Sequence, residues 1–335
     1  MCKLNRLCFV LFFSLCSAVS SISGSDDADC VYTAYVRTGT VWKGGTDSII
    51  SLTLYDADGY GVRINNLEEW GGLMGDGYDY FERGNLDIFS GRGPCLSSPI
   101  CSMNLTSDGT GPHHGWYCNY VEVTVTGVHQ ACNQQLFTVE QWLATDASPY
   151  SLTAIVDNCY YDLSRLAAVD GEKTAISSPD PDCVYTAYVR TGSILKAGTD
   201  SIITLTLYDA DGYGVRINDL EAWGGLMGEG YDYFERGNLD IFSGRGPCLS
   251  SPICYMNLTS DGTGKNHGWY CNYVEVTVTG VHQACSQQLF TVEQWLATDT
   301  SPYTLTAIVD NCYSVRSRLA AGDGEKISSQ IIAEI

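Results

Sequence analysis

Residues 43–48, "KGGTDS", put a lysine, two glycines and a carboxylate into one turn, and "KAGTDS" at 196–201 repeats the arrangement. Three chemistries compete for such a turn: a phosphate cradle, a set of oxygens for a metal, or a plain chain reversal. A phosphate cradle wants glycines leading into a helix N-terminus. Here the β-type run "SIISLTLYD" (48–56) follows instead, which disfavours it. Calcium takes six to eight oxygens from carboxylates, carbonyls and water, and a glycine-acid turn begins such a set. The next turn, "YDADGYG", sets Asp56 and Asp58 two apart ahead of Gly59. That is a fragment of an EF-type loop without its later glutamate, and Asp-Gly is equally an ordinary turn signal. Catalytic signals are missing: there is no GxSxG, HExxH or P-loop. His113 becomes Asn266 in the second occurrence, and His114 and His129 have no nucleophile tied to them.

The elements that must position these turns come twice. A shift of 153 residues lays the chain on itself without a gap, from Asp29 on Asp182 through Lys173 on Lys326. A unit of that size is a duplicated domain rather than a solenoid repeat. Within it, "CVYTAYVRT" (30–38), "SIISLTLYD", "GWYCNYVEVTVTGV" (115–128), "QLFTVEQWL" (135–143) and "YSLTAIVD" (150–157) read as strands, and "YDYFERGNLDIFSG" (78–91) as one or two strands broken by Gly84-Asn85. Val121, Val123 and Val125 alternate with Glu122, Thr124 and Thr126, which predicts one buried face and one wet face. Only "NNLEEWGGLMG" (65–75) suggests a helical turn. Seven or eight short strands per repeat with Gly/Asp/Pro turns make the chain all-β, an antiparallel sandwich in each copy. The expected layout is a signal peptide (1–23), domain 1 (29–161), a polar linker (162–181), domain 2 (182–314) and a C-terminal tail (315–335).

Composition narrows the partners. Thirty-nine acidic residues against 18 basic ones give a net charge of −21, a field that repels nucleic-acid phosphates. It also resists anionic membranes unless a divalent cation intervenes. Lys3 and Arg6 precede an apolar stretch (7–16) and small residues (17–25), the pattern of a secretory signal and too short to span a bilayer. Of fifteen cysteines, Cys2, Cys8 and Cys16 fall in that leader and six remain in each repeat. Even numbers without CxxC point to disulfides in an oxidising compartment, the endoplasmic reticulum or beyond. Each copy is expected to close its own bridges among Cys30, Cys95, Cys101, Cys132 and Cys159, or Cys183, Cys248, Cys254, Cys285 and Cys312. Cys95 and Cys101 share a loop, and Cys132, Cys159 and Cys30 fall at one end of a meander; Cys118 and Cys271 either pair or stay buried as thiols. The connectivity stays open. Asn104 and Asn257 head N-glycosylation sequons.

Four long segments, "YTAYVRTGTVWKGGTDSIISLTL", "YFERGNLDIFSG", "HHGWYCNYVEVTV" and "QLFTVEQWLATD", occur in order and recur in the second copy with few changes. They resemble the PLAT (lipoxygenase-homology) domain family, and within it the small secreted plant stress-associated proteins. The resemblance implies two tandem eight-stranded antiparallel β-sandwiches. It also implies a non-enzymatic module that attaches to lipid, membrane or protein partners in plant stress responses, in some members with calcium. Residue by residue, it implies calcium ligands at Gly45, Asp47 and Asp108, and at Gly198, Asp200 and Asp261. Lys43 and Lys196 depart from it, since calcium-binding members often carry an acid there.

For a lipid or partner surface, the candidates are Trp42, Trp70, Leu73 and Met74, with Leu195, Trp223, Leu226 and Met227. The competing reading caps the core with Trp70 and Trp223. Two near-identical copies suggest bivalent attachment. The alternative function is an extracellular carbohydrate- or protein-recognising sandwich using "EEWGGLMGDGYDYF" (68–81).

Overall fold

The structure, a computed structural model, describes residues 29–159, 182–312 and 331–335. The signal peptide and linker expected from the sequence lie outside the described residues. In the first repeat, β1 (Cys30–Thr38), β4 (Leu86–Gly93), β6 (Trp116–Gly127) and β7 (Gln130–Leu143) form one sheet in the order β4-β1-β6-β7. The other sheet, β3-β2-β5-β8, uses β2 (Ile50–Asp56), β3 (Gly61–Ile64), β5 (Ile100–Ser107) and β8 (Thr153–Asp157). Every pairing in these two sheets is antiparallel. Asn66 caps the one short helix, α1 (Leu67–Gly71), by accepting from the amides of Glu68 and Glu69.

The second repeat rebuilds this with β9 (Asp182–Thr191), β10 (Ile203–Asp209), β11 (Tyr213–Ile217), α2 (Leu220–Gly224), β12 (Leu239–Pro247), β13 (Ile253–Ser260), β14 (Trp269–Gly280), β15 (Gln283–Leu296) and β16 (Thr306–Asp310). One strand is extra: β17 (Ile331–Glu334) runs parallel to β11 and makes that sheet five-stranded.

The residue period of two explains both cores. Tyr32, Ala34 and Val36 point from β1 into the sandwich, where they meet Leu52, Leu54, Phe89, Trp116, Val121 and Val123. The intervening Val31, Thr33 and Tyr35 are buried just as fully, because the outer face of this sheet lies against the other repeat. Val31 packs with Tyr188 and Ile241, while Tyr35 and Ile88 pack with Val184. The start of β1 therefore meets the end of β9, and the two strands run antiparallel across the interface.

Hydroxyl groups bond across it, although Thr124 Oγ1 and Thr277 Oγ1 on the same faces have no hydrogen-bond partner. Tyr35 Oη donates to the Thr279 carbonyl at 2.8 Å, and Tyr188 Oη to the Thr126 carbonyl at 2.8 Å. Ser90 and Ser243 share a hydrogen bond of 2.7 Å. Arg92 donates to the Leu226 carbonyl at 3.1 Å and Arg245 to that of Leu73 at 3.0 Å. These reciprocal pairs describe an approximate two-fold axis between the repeats.

Three sequence expectations are corrected here. The Glu122–Thr124–Thr126 face of the valine strand is not wet: all three are buried, because the second repeat covers them. The disulfides are Cys30–Cys95 and Cys101–Cys159, with their counterparts Cys183–Cys248 and Cys254–Cys312. Cys95 and Cys101 do not bridge each other. Cys132 and Cys285 do not close within their own copies; they join each other across the axis, since β7 and β15 carry them to the interface edge. Cys118 and Cys271 are buried free thiols. Finally, residues 78–85 form turns rather than a strand. Phe81 at φ 60° and Gly84 at φ 80° break the extended run before β4 begins.

Candidate functional site

Each sandwich ends in a tip of four loops, the fourth running from β7 to β8, and three of them carry the candidate residues. The first leaves β1 and carries Trp42, Gly45 and Asp47; the second is the 78–85 segment; the third runs from β5 to β6. The loops are laced together: Thr46 N–H donates to the Phe81 carbonyl at 3.2 Å, and Tyr117 N–H to the Gly44 carbonyl at 2.9 Å. A methyl on Gly45 would come within 2.9 Å of Arg83 N and 3.2 Å of Glu82 Oε2, so only glycine lets the first two loops approach this closely.

That approach gathers three carboxylates. Oxygens of Asp47, Asp79 and Glu82 all lie within 4.8 Å of one another, as do those of Asp200, Asp232 and Glu235. Among the described residues these are the clusters of hard oxygen donors, and that donor chemistry suits calcium. Asp79 and Glu82 were missed from the sequence because "YDYFERG" reads as a strand. The signal that could have found them is the pairing of "GTD" with a second acidic, glycine-ended stretch.

A buried carboxylate holds the second loop. Asp87 Oδ2 accepts Phe81 N–H at 2.8 Å, which fixes the left-handed backbone of that aromatic residue and so aims Asp79 and Glu82. Burial pushes the Asp87 carboxyl up to about 6, the Phe81 hydrogen bond only partly opposing it. Asp240 does the same for Phe234, at 2.8 Å and with a pKa of about 6 from the same cause.

Asp108 and Asp261 do not join the clusters. Asp108 accepts from Ile49 N–H at 3.1 Å, Thr110 N–H at 3.0 Å and the Thr110 hydroxyl at 2.9 Å. Burial raises its pKa, but these bonds outweigh it and hold the group below the ordinary carboxylate range. Asp261 is engaged in the same way with Ile202 and Thr263. Asp56 of the other turn is likewise spent, accepting from the amides of Asp58 and Tyr60 and from Ser97 Oγ.

The apolar candidates divide. Trp42 and Leu195 are each 77% exposed at their tips, flanked by exposed Val41 and Ile49, and by Ile194 and Ile202. The Arg83 guanidinium lies 6.0 Å from the Trp42 ring centroid. In the second tip a cleft of about 570 Å³ is lined by Leu195, Lys196, Gly198, Glu235, Arg236 and Lys265, among others. Leu73, Met74, Leu226 and Met227 are corrected: they pack into the inter-repeat clusters, with Met74 and Met227 accepting from Arg245 and Arg92. Trp70 and Trp223 are half-buried and lie on Gly91 and Gly244 of their own sheets. The 68–81 recognition surface is thus partly consumed, since Tyr80 and Phe81 enter the core. Asn104 and Asn257 are half-buried on β5 and β13, each accepting from its sequon threonine hydroxyl.

A family model of the PLAT/LH2 domain matches the chain twice, over residues 32–156 and 185–309. PLAT domain-containing protein 1 of Arabidopsis thaliana is 64% identical over 149 residues, which is 44% of this chain and 82% of its own length. Lipoxygenase homology domain-containing protein 1 of Mus musculus is 29% identical over 269 residues, 79% of this chain and 11% of its own. A solved coral 8R-lipoxygenase is similar over 38% of this chain and 16% of its own, with 20% identity and a TM-score of 0.28. The chain therefore spans a small part of those two larger proteins and most of the Arabidopsis one. A PLAT domain is a β-sandwich associated with binding lipids or proteins. With that domain matched over both sandwiches, the chain belongs to the PLAT/LH2 domain family.

Proposed function

We propose that each tip is a calcium-assisted docking site for a lipid surface, used in the secretory pathway or outside the cell. The observation that carries this reading is the juxtaposition at one tip of a three-carboxylate cluster and an exposed apolar finger, Asp47–Asp79–Glu82 beside Trp42. Asp47, Asp79 and Glu82, and Asp200, Asp232 and Glu235, are the residues that would hold the ion. A bound calcium supplies positive charge to a chain of net charge −21, which offsets repulsion from anionic headgroups. Trp42 or Leu195 then enters the interfacial layer, where such side chains sit well. Lys43 and Lys196 stand beside the acids and oppose the ion, yet Lys196, Arg236 and Lys265 at the second cleft favour a phosphate headgroup.

The five disulfides suit an oxidising compartment, and no described helix is long and apolar enough to cross a membrane. A place in plant stress responses rests on the family resemblance alone. The test is cosedimentation with phosphatidylcholine–phosphatidylserine vesicles, with calcium or with chelator. Calcium-dependent binding is expected, lost in Asp47→Asn with Asp200→Asn. A thermal-shift titration of the same pair separates ion binding from lipid binding; no calcium-dependent shift in the unsubstituted chain removes the metal.

A further inference from the structure

We infer that the chain bridges two lipid surfaces, one at each end, instead of gripping one surface twice; this rests on the docking reading above. The two-fold axis passes through Ser90–Ser243 at the β4/β12 edge and Cys132–Cys285 at the β7/β15 edge. It therefore lies between the facing sheets and crosses their strands. Rotation about such an axis exchanges the two ends of every strand. Val31 against Tyr188 and Tyr35 against Val184 show this directly and place the midpoint at Thr33 and Thr186. The tip loops begin after Thr38 and Thr191, five residues from that midpoint in opposite directions. At 3.3 Å per residue the two tips start about 30 Å apart along the strands and face away from each other.

The arrangement is held on all sides. A disulfide closes one edge, a buried serine pair the other, and reciprocal tyrosine hydroxyls lie between them. His129 and His282 turn amides toward Glu275 and Glu122, at 2.8 and 2.9 Å, near the two ends. No free swivel remains by which both tips could reach one flat surface, so avidity on a single membrane is unavailable. What remains for two opposed docking sites is a second surface.

The poles also differ. Trp42, Pro112 and His113 mark the first, whereas Leu195, Lys265 and Asn266 mark the second. The added lysine makes the second pole the one favoured by the more anionic surface.

The test mixes two populations of phosphatidylcholine–phosphatidylserine vesicles, one with donor and one with acceptor lipid, with full chain and calcium. Energy transfer between populations is expected to rise, then fall once protein saturates both. Trp42→Asp alone or Leu195→Asp alone should return transfer to the protein-free level while the variant still cosediments with vesicles. Both side chains are exposed, so neither change threatens folding. Cosedimentation without transfer overturns the bridge and leaves docking intact. Transfer that survives either single substitution also overturns it, and failure to cosediment at all removes both readings.

Discussion

At the scale of single residues, two buried groups make checkable claims. Asp87 and Asp240 titrate near 6 in the folded chain against an ordinary aspartate value of 3.8. Between those values the folded state keeps protons that the unfolded state has lost. Stability must then fall as pH rises through the window, by about 3 kcal/mol per site, and level off above it. Asp87→Asn with Asp240→Asn retains an acceptor for the Phe81 and Phe234 amides. It should raise the melting temperature at pH 7 and leave it nearly unchanged near pH 4; parallel profiles across the window would refute the assignment. Burial also pushes the Cys118 and Cys271 thiols well up. Iodoacetamide should leave both unlabelled in the native chain and modify them after denaturation, as peptide mass spectrometry would show. The sequence located one of the three carboxylates in each cluster. "GTD" exposes its acid plainly, but Asp79 and Glu82 become neighbours of Asp47 only because Asp87, buried and far from looking functional, bends the chain at Phe81.

Among elements, the helix and most strands were legible because their signals are local. The helical turn expected within 65–75 is α1, which Asn66 caps, and β6 is the strand its valines predict. The mistaken inference was about solvent: Thr124 and Thr126 look like a wet face, yet threonine serves a hydroxyl-rich buried interface equally well. Periodicity reports that two faces differ, and it cannot report what lies beyond either. The docking of α1 gives a direct test. A methyl on Gly71 would stand 2.1 Å from the Ser90 carbonyl oxygen, a backbone atom that cannot rotate away. Gly71→Ala should therefore displace α1 from β4 and cost about 1–3 kcal/mol. In melting temperature that is a drop of roughly 3–10 °C. Calorimetry showing no drop would mean that the helix is looser than described.

For the molecule as a whole, the repeats form one body rather than two beads on a string. Tyr35→Phe with Tyr188→Phe leaves the Thr279 and Thr126 carbonyls without these donors, at a cost of about 1–3 kcal/mol each. Chemical denaturation should show this loss, and Tyr150→Phe, at an exposed position, should not. Cys132→Ser with Cys285→Ser should leave the radius of gyration in X-ray scattering unchanged, because the buried hydroxyl and apolar contacts persist; an expanded particle would mean that the bridge alone holds the pair. The axis carries a different consequence for inheritance. Ser90 meets its own duplicate, as does Cys132, and Val31, Tyr35, Ile88, Arg92, Glu122 and Gln134 are the same in both copies. A mutation at either axial pair confronts an unchanged twin, so divergence there has to occur in step. The tips carry no such constraint, and the copies differ there at Thr40/Ser193, Val41/Ile194, Trp42/Leu195 and Pro112/Lys265, as they also do off the axis at Ser51/Thr204, Glu69/Ala222 and Ser102/Tyr255. Duplication has thus left a fixed waist and two ends free to specialise.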